Sequence, residues 1–362
     1  MASRWSHLEQ MHVVRLNAVL HPNDVEVELY KKYHLNPVFC EPATPEEIIP
    51  YVQDCDALFA VSVSLPTPVI ESLRRCKVIS RLGTGTDKID VATATRRGIL
   101  VTNVPLFCIH EQADHTMMLI LALERKLKRM DGMMRQGLWQ RSKSEGVATH
   151  RLAARTLGLV GFGNSARETA KRARSFGMRV LATRRRMDAG QAEAAALGVE
   201  MTDLDTVLRE SDYVSLHIPL NRETYHLIDE TALRKMKRDA FLINTARGAI
   251  VDEMALVRVL QEGHLAGAGI DTYEHIDVFV PEGNPPNHPL LELENVLLTP
   301  HSAGLSVEAK RDVAVGGVEN VVSILSGHWP HPDHIVNRGV EPWFPLKPYD
   351  PALFETACEE CI

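Results

Sequence analysis

The chain has 362 residues, 45% of them apolar and 24% charged, with a formal charge of −7; this is the composition of a globular protein long enough for two cores, not of a disordered or fibrous chain. Its mild acidity, with a pI near 6.2, argues against a general nucleic-acid or acidic-membrane binder, and no apolar run approaches the ~20 residues of a membrane helix. Residues 1–11 are polar with no hydrophobic centre, so no secretory signal is expected, and six cysteines in this length leave a reducing, cytoplasmic setting as the default.

Short β-rich runs alternate with longer helical patterns, which predicts an α/β fold with mostly parallel sheets. The runs 12–20, 57–63, 77–82 and 98–101 read as strands. Between them, 45–55 and 68–76 read as helices, each opening with a proline near its first turn. Residues 110–136 carry an apolar stripe (Ala113, Met117, Ile120, Leu121, Leu127, Met130) without an internal proline, and predict one long helix leaving the first unit for a second. The polar stretch 141–155 reads as a loop. Strands are then expected at 156–160, 177–182, 213–218, 240–244, 267–271 and 296–299. A helix over 306–326 carries the chain back toward the first unit, and a Pro- and Trp-containing tail follows as an extended surface segment. Within that tail, Cys358 and Cys361 form a CxxC with no second pair or nearby His run; an ordinary acidic tail outweighs a metal or redox site there, and no metal site is expected.

The strongest local pattern is Thr156-Leu-Gly-Leu-Val160 followed by Gly161-Phe-Gly163-Asn164-Ser165-Ala166 and a helix over 167–176. A GxGxxG-like turn alone is weak, since it can merely link strand to helix. Here strand, turn, helix and second strand are all in place, as a dinucleotide site requires. Gly161 allows the tight turn, Gly163 lets backbone approach a pyrophosphate, and Ala166 still permits close helix–sheet packing. Amides around Asn164 and Ser165 would face phosphate oxygens at the positive end of the helix. The second strand ends in Ala182-Thr183-Arg184-Arg185-Arg186, with no carboxylate before Asp188. A carboxylate there would accept from the adenosine ribose of NAD and repel the 2′-phosphate of NADP; guanidinium groups would bind that phosphate. Three arginines can equally be a solvated helix start, but their position predicts NADP preference, with NAD admissible. Arg184 and Arg185 are the expected clamp, assisted by Thr183.

Three later segments place polar residues just after a strand, at the edge where open α/β sheets bind ligands: His217-Ile-Pro219, Asn244-Thr245-Ala246-Arg247-Gly248, and Thr299-Pro-His301-Ser-Ala-Gly304. With Arg81-Leu-Gly83-Thr84-Gly85-Thr-Asp-Lys-Ile-Asp, and in this order and separation, they resemble the D-isomer-specific 2-hydroxyacid dehydrogenases over nearly all of 81–304. The C-terminal binding protein corepressors share the architecture and many of the motifs. The resemblance implies two Rossmann-like/flavodoxin-like domains, the nucleotide-binding one inserted into a discontinuous substrate domain. The expected boundaries are 1–112 with 307–345 for the substrate domain, 113–306 for the dinucleotide domain, and 346–362 for the tail. It also implies that Arg247 holds the carboxylate and carbonyl of a small 2-keto acid, and that His301 is the general acid/base. Thr84 and Gly85 would then lie in the substrate loop. Thr116, His217, Pro219, Thr224, Thr245, Ala246, Asp271 and Gly304 would line the cofactor cleft, and a homodimer face would fall on helices such as 110–136. A planar guanidinium suits a fork of oxygens, and an imidazole can exchange a proton near neutral pH. His110, His115 and His150 lack such a setting and read as structural.

One position departs from the family. Where the family has a glutamate five residues beyond the aspartate, paired with the histidine, this chain has Ile276, with Asp277 and Glu282 following in a longer segment. Either Asp277 takes that role after a local bulge or the histidine lacks an acidic partner, and keto-acid reduction then falls off at lower pH than in relatives with the full triad. The primary expectation is an NADP-preferring reductase of a 2-keto acid, with no nucleic-acid or membrane partner. The rival is a dinucleotide-sensing regulatory protein similar to the corepressors.

Overall fold

The computed structural model describes residues 4–16, 23–41, 44–186, 188–279 and 287–354. The chain divides into two compact units, Met1–Phe107 with Ser306–Ile362, and Cys108–Leu305.

In the first unit, strands β1 (Val13–Leu16), β2 (Val38–Cys40), β3 (Ala57–Ala60), β4 (Val78–Arg81) and β5 (Leu100–Thr102) form an all-parallel sheet in the order β2-β1-β3-β4-β5. Its connections include helices α1 (Asp24–Lys32), α2 (Pro45–Val52), α3 (Thr67–Ser72) and α4 (Val91–Arg96). Adjacent residues of one strand feed opposite cores: Val13, Phe59, Val78 and Leu100 pack on one face, Val14, Leu58, Ile79 and Val101 on the other. Strands buried on both faces read as continuous apolar runs, which is why they are legible in sequence. Helix starts are set locally as well. Thr44 and Glu47 make a reciprocal capping box in front of Pro45, and Asn23 and Asp90 each accept a backbone N–H at α1 and α4.

The second unit holds α5 (Ile109–Glu124), α6 (Leu127–Arg135), α7 (Trp139–Glu145), β6 (Thr156–Val160), α8 (Asn164–Ser175), β7 (Arg179–Thr183), α9 (Gln191–Ala196), β8 (Glu200–Met201), α10 (Leu204–Glu210), β9 (Tyr213–Leu216), α11 (Glu230–Lys235), β10 (Phe241–Asn244), α12 (Glu253–Gln261), β11 (Gly267–Ile270) and β12 (Val296–Leu298). Its seven parallel strands run β12-β11-β10-β9-β6-β7-β8. Val160, Val214 and Leu242 supply one face of the core, while Leu159, Tyr213 and Ile243 supply the other. Helix α13 (Val307–Leu325) then returns the chain to the first unit, capped by the Ser306 hydroxyl on the Ala309 N–H.

Three expectations differ from the structure. The helix expected over 110–136 is two helices, because Lys126 adopts the left-handed conformation, φ +49°, between α5 and α6. The buried Glu124 carboxylate at the end of α5 accepts the His150 N–H and the Tyr213 hydroxyl, so the end of α5 is tied to β9 and the chain turns. Residues 141–155 are not simply a loop. They contain most of α7, whose Glu145 pairs with Lys126 and Arg129 (3.1 and 3.0 Å) and whose Ser142 Oγ donates to the Met130 carbonyl at 3.2 Å. That helix is polar because it packs on α6 rather than on a core. Several strands end earlier than expected: 61–63, 82, 217–218, 271 and 299 belong to the loops that follow, and 17–20 lie outside the described residues, whereas β5 and β7 each run one residue further, to Thr102 and Thr183. As far as Phe354 the tail packs as an extended segment. Lys347 N–H donates to the Gly327 carbonyl at 2.8 Å and Trp329 N–H to the Lys347 carbonyl at 2.9 Å, while Trp5 and Tyr33 close on Phe354. Cys358 and Cys361 lie outside the described residues.

Candidate active site

In the second unit the strand order reverses between β6 and β9, the place where an open α/β sheet forms a ligand crevice. Gly161 ends β6 at φ +107°, and a methyl group there would sit 2.4 Å from the His217 carbonyl oxygen after β9, so only glycine lets these two strand ends close up. Its N–H donates to the Thr183 carbonyl at 2.9 Å, joining the turn to the end of β7. Gly163 caps α8 without a side-chain hydrogen bond, and a Cβ on it would meet nothing within 4 Å. By contrast α10, α11 and α12 are each capped by an aspartate, Asp203, Asp229 and Asp252. Asn164 is exposed beside Gly163, Ser165 is half-buried, and Ala166 is fully buried against the sheet. The α8 terminus therefore offers N–H groups that no capping side chain takes, with room in front of them, and its residues fit a pyrophosphate. His217 closes the base of the turn: Nδ1 lies 3.1 Å from Ser165 Oγ and Nε2 3.0 Å from Ser215 Oγ. Burial pushes its pKa down to about 4, so the imidazole is neutral at ordinary pH.

At the end of β7, Thr183 is buried, while Arg184 is half-buried and donates from Nη1 to the Ala189 carbonyl at 3.0 Å. Arg185 is exposed and pairs with Glu223 at 2.9 Å. The two guanidinium groups thus have separate partners, one inside its own loop and one in the segment after β9. That segment is held by the Thr224 hydroxyl, which donates to the Pro219 carbonyl at 2.7 Å.

The strands β10, β11 and β12 are parallel neighbours, so the segments leaving their carboxyl ends lie side by side. After β10, Asn244 folds the chain back on itself: Oδ1 accepts the Ala246 N–H at 3.1 Å and Nδ2 donates to the Arg247 carbonyl at 2.9 Å. Thr245 is buried; Gln112 Nε2 donates to its carbonyl at 2.9 Å, and its hydroxyl lies 3.3 Å from that of Thr116. Arg247 is half-buried, with Nη1 on the Ala246 carbonyl at 2.7 Å. A methyl on Gly248 would fall 1.9 Å from the Tyr273 carbonyl carbon, so glycine lets the turn after β10 press on the one after β11.

Asp271, fully buried after β11, accepts the Thr299 hydroxyl at 2.6 Å and the Ser302 and Ala303 N–H groups at 2.8 and 3.0 Å; its carbonyl accepts the His301 N–H at 2.8 Å. His301 is thereby held in the left-handed region, φ +54°. Half-buried Gly304 leads out of this turn. The segment from Asp271 to Tyr273 touches both flanking turns, and Arg247 and His301 stand on either side of it. A cation and an imidazole are therefore set on the two turns that flank the one after β11, on one sheet edge.

Asp277 does not take the acidic role considered for it. It is exposed, and its Oδ1 accepts the Phe279 N–H at 2.9 Å; the Phe279 ring lies against the His301 ring, with centroids 5.1 Å apart. Glu282 lies outside the described residues. Thr84 and Gly85 belong to the first unit, in a loop after β4 that wraps around Arg81: Arg81 Nε donates to the Gly85 carbonyl at 3.0 Å, and Asn103 Nδ2 to the Thr84 carbonyl at 2.7 Å. Sequence reasoning passed over Gln112 and Phe279, and it read His115 as structural. A signal existed for Gln112 and His115, since with Thr116 they stand at i, i+3 and i+4 of one helix and so share a face. Among the described residues no group of His, Cys, Asp and Glu could hold a metal ion, and no helix is long and apolar enough to cross a membrane.

Residues 117–303 match the family model described as D-isomer specific 2-hydroxyacid dehydrogenase, NAD binding domain. A glyoxylate reductase of Thermofilum pendens is 41% identical over 310 residues, 84% of this chain and 88% of that protein. The crystal structure of D-lactate dehydrogenase from Aquifex aeolicus, complexed with NAD and lactic acid, is similar with a TM-score of 0.77 at 28% identity, covering 87% of this chain and 96% of that one. An NADPH-dependent glyoxylate/hydroxypyruvate reductase from Sinorhizobium meliloti, in complex with NADP and malonate, gives 0.75 at 28% identity over 90% and 98%.

Proposed function

The chain belongs to the D-isomer-specific 2-hydroxyacid dehydrogenases, and from that premise we propose that it reduces a small 2-keto acid, glyoxylate or hydroxypyruvate, to its D-2-hydroxy acid with NADP as the preferred dinucleotide. The observation that carries the reading is the pairing of Arg247 and His301 on turns that flank the Asp271–Tyr273 segment, on the same sheet edge as the bare start of α8. When bound, the nicotinamide supplies the hydride. Arg247 holds the substrate carboxylate and polarises the carbonyl; His301 gives the proton that the new hydroxyl needs and takes it back in the oxidative direction. Gly163, Asn164 and Ser165 would hold the pyrophosphate, with Thr116, Thr245, Ala246, His217, Pro219, Thr224, Asp271 and Gly304 around the dinucleotide. Thr84 and Gly85 remain the substrate-loop residues of the first unit in this reading. The absence of a carboxylate between Thr183 and Asp188, together with Arg184 and Arg185, supports a 2′-phosphate over a free ribose.

The test is absorbance-followed oxidation of NADPH and of NADH against glyoxylate and hydroxypyruvate. The expected result is keto-acid-dependent turnover with kcat/KM about tenfold or more higher for NADPH. Replacing Arg184 and Arg185 together by alanine should narrow that ratio. Dinucleotide binding without turnover on any keto acid would sink the reading and favour a dinucleotide sensor.

A further inference from the structure

His115 sits on α5, with a side chain only 12% exposed, and reaches two groups that hold the His301 turn in place. Its Nε2 is 2.9 Å from Thr299 Oγ1 and 3.5 Å from Asp271 Oδ1. Thr299 Oγ1 is in turn 2.6 Å from Asp271 Oδ1. An ionised carboxylate can only accept, so the single hydroxyl hydrogen of Thr299 points to Asp271, and the Thr299 oxygen is left as an acceptor. His115 must then carry its hydrogen on Nε2 and donate it to Thr299. The chain of donors runs one way: His115 to Thr299 to Asp271.

Asp271 is the hub of the turn. Besides Thr299 it takes the Ser302 and Ala303 N–H groups on its carboxylate and the His301 N–H on its carbonyl. His301 at φ +54° occupies a conformation that costs a non-glycine residue energy and persists only where its surroundings over-determine it. The restraints from Asp271, Thr299, Ser302 and Ala303 all come from the loops after β11 and β12. The donor from His115 arrives from another element, α5, and stops the Thr299 hydroxyl from rotating off the carboxylate. Burial lowers the pKa of His115, which keeps it a neutral donor at ordinary pH.

We propose that His115 is a positioning residue of the reduction: its Nε2–H fixes the Thr299 hydroxyl on the Asp271 carboxylate, and that closed chain aims the His301 imidazole. The inference rests on His301 being the acid of the proposed reaction. His115 touches neither substrate nor dinucleotide in this role and passes no proton; it sets geometry, and a supporting residue of this kind acts on the chemical step more than on binding.

The experiment uses the full chain with His115→Leu, His115→Gln, Thr299→Val and the Leu/Val double variant, assayed for glyoxylate reduction at saturating NADPH. NADPH affinity is read in parallel by fluorescence and folding by thermal melting. His115→Leu should lower kcat about tenfold or more, with the glyoxylate KM and the NADPH Kd within about twofold of wild type. Glutamine, which keeps a donor near the ε position, should recover most of that loss. Thr299→Val should reproduce the leucine effect, and the double variant should lose no more than the worse single one, because both cut the same chain. If His115→Leu does not stay folded, the glutamine and Thr299→Val variants still decide. An unchanged kcat in His115→Leu or Thr299→Val, a loss that glutamine does not restore, or additive losses would each overturn the inference while leaving the reductase reading intact. No keto-acid turnover in the wild-type chain would overturn both.

Discussion

Two turns at the carboxyl edge of the seven-stranded sheet treat their backbone in opposite ways. After β6, residues 161–164 are glycine-rich, α8 begins without a capping side chain, and space is open in front of Gly163. After β12, the Thr299 hydroxyl and the His301, Ser302 and Ala303 N–H groups all go to Asp271, so that even the N–H of the residue that carries the imidazole is committed. The first turn leaves donors for a charge that comes from outside. The second commits its donors internally, so that one side chain is aimed and stays aimed. Binding a flexible dinucleotide needs open hydrogen-bonding capacity, whereas proton transfer needs an acid held to within a fraction of an ångström.

Breaking the first turn should have the largest effect. Gly161→Ala puts a methyl 2.4 Å from the His217 carbonyl at φ +107°, and neither strand end can yield without parting β6 from β9. A loss of about 2 kcal/mol or more in stability is expected, with NADPH binding abolished; a melting temperature and Kd equal to wild type would contradict the close approach. Gly163→Asp sharpens the contrast. At φ −87° and ψ −166° any residue fits, the space is open, and the new carboxylate would cap α8 as aspartates cap α10 to α12. Stability should rise by about 0.5–1 kcal/mol while NADPH binds about tenfold or more weakly, since the added charge occupies and repels the phosphate position. Unchanged affinity in that variant would place the pyrophosphate elsewhere.

The smallest effect concerns pH. His217, bonded to Ser165 on the open turn, titrates at about 4 when folded against an ordinary 6.5. Between those values the unfolded chain binds the additional proton, so this group's contribution to stability is lost as pH falls from 6.5 toward 4. His217→Gln should flatten that part of the profile, which urea midpoints at pH 7 and pH 5 would reveal; parallel profiles for variant and wild type would show that His217 carries no such penalty.

Much of the site is legible because its determinants are local. Gly161 must be glycine for a positive φ, Val160 ends an apolar run buried on both faces, and the motif around Arg247 follows β10 within three residues. What escaped notice depends on partners remote in the chain. The break at Lys126 follows from an α5 end tied to Tyr213, 89 residues on from Glu124, and α7 exists because its Glu145 meets Lys126 and Arg129. Asp277 beside Ile276 looked available to His301, yet it is exposed and its Oδ1 is taken by the Phe279 N–H of its own turn.

By itself the sequence determined the α/β class, the glycine turn and the family, because period-2 and period-3.6 burial, glycine torsions and motif spacing are properties of short stretches. The tertiary structure alone decided which polar side chains act together. His115 and Thr299 are separated by 184 residues, and whether a histidine is idle or holds a catalytic turn depends on the atom that lies 2.9 Å from it once the sheet has brought α5 against β11.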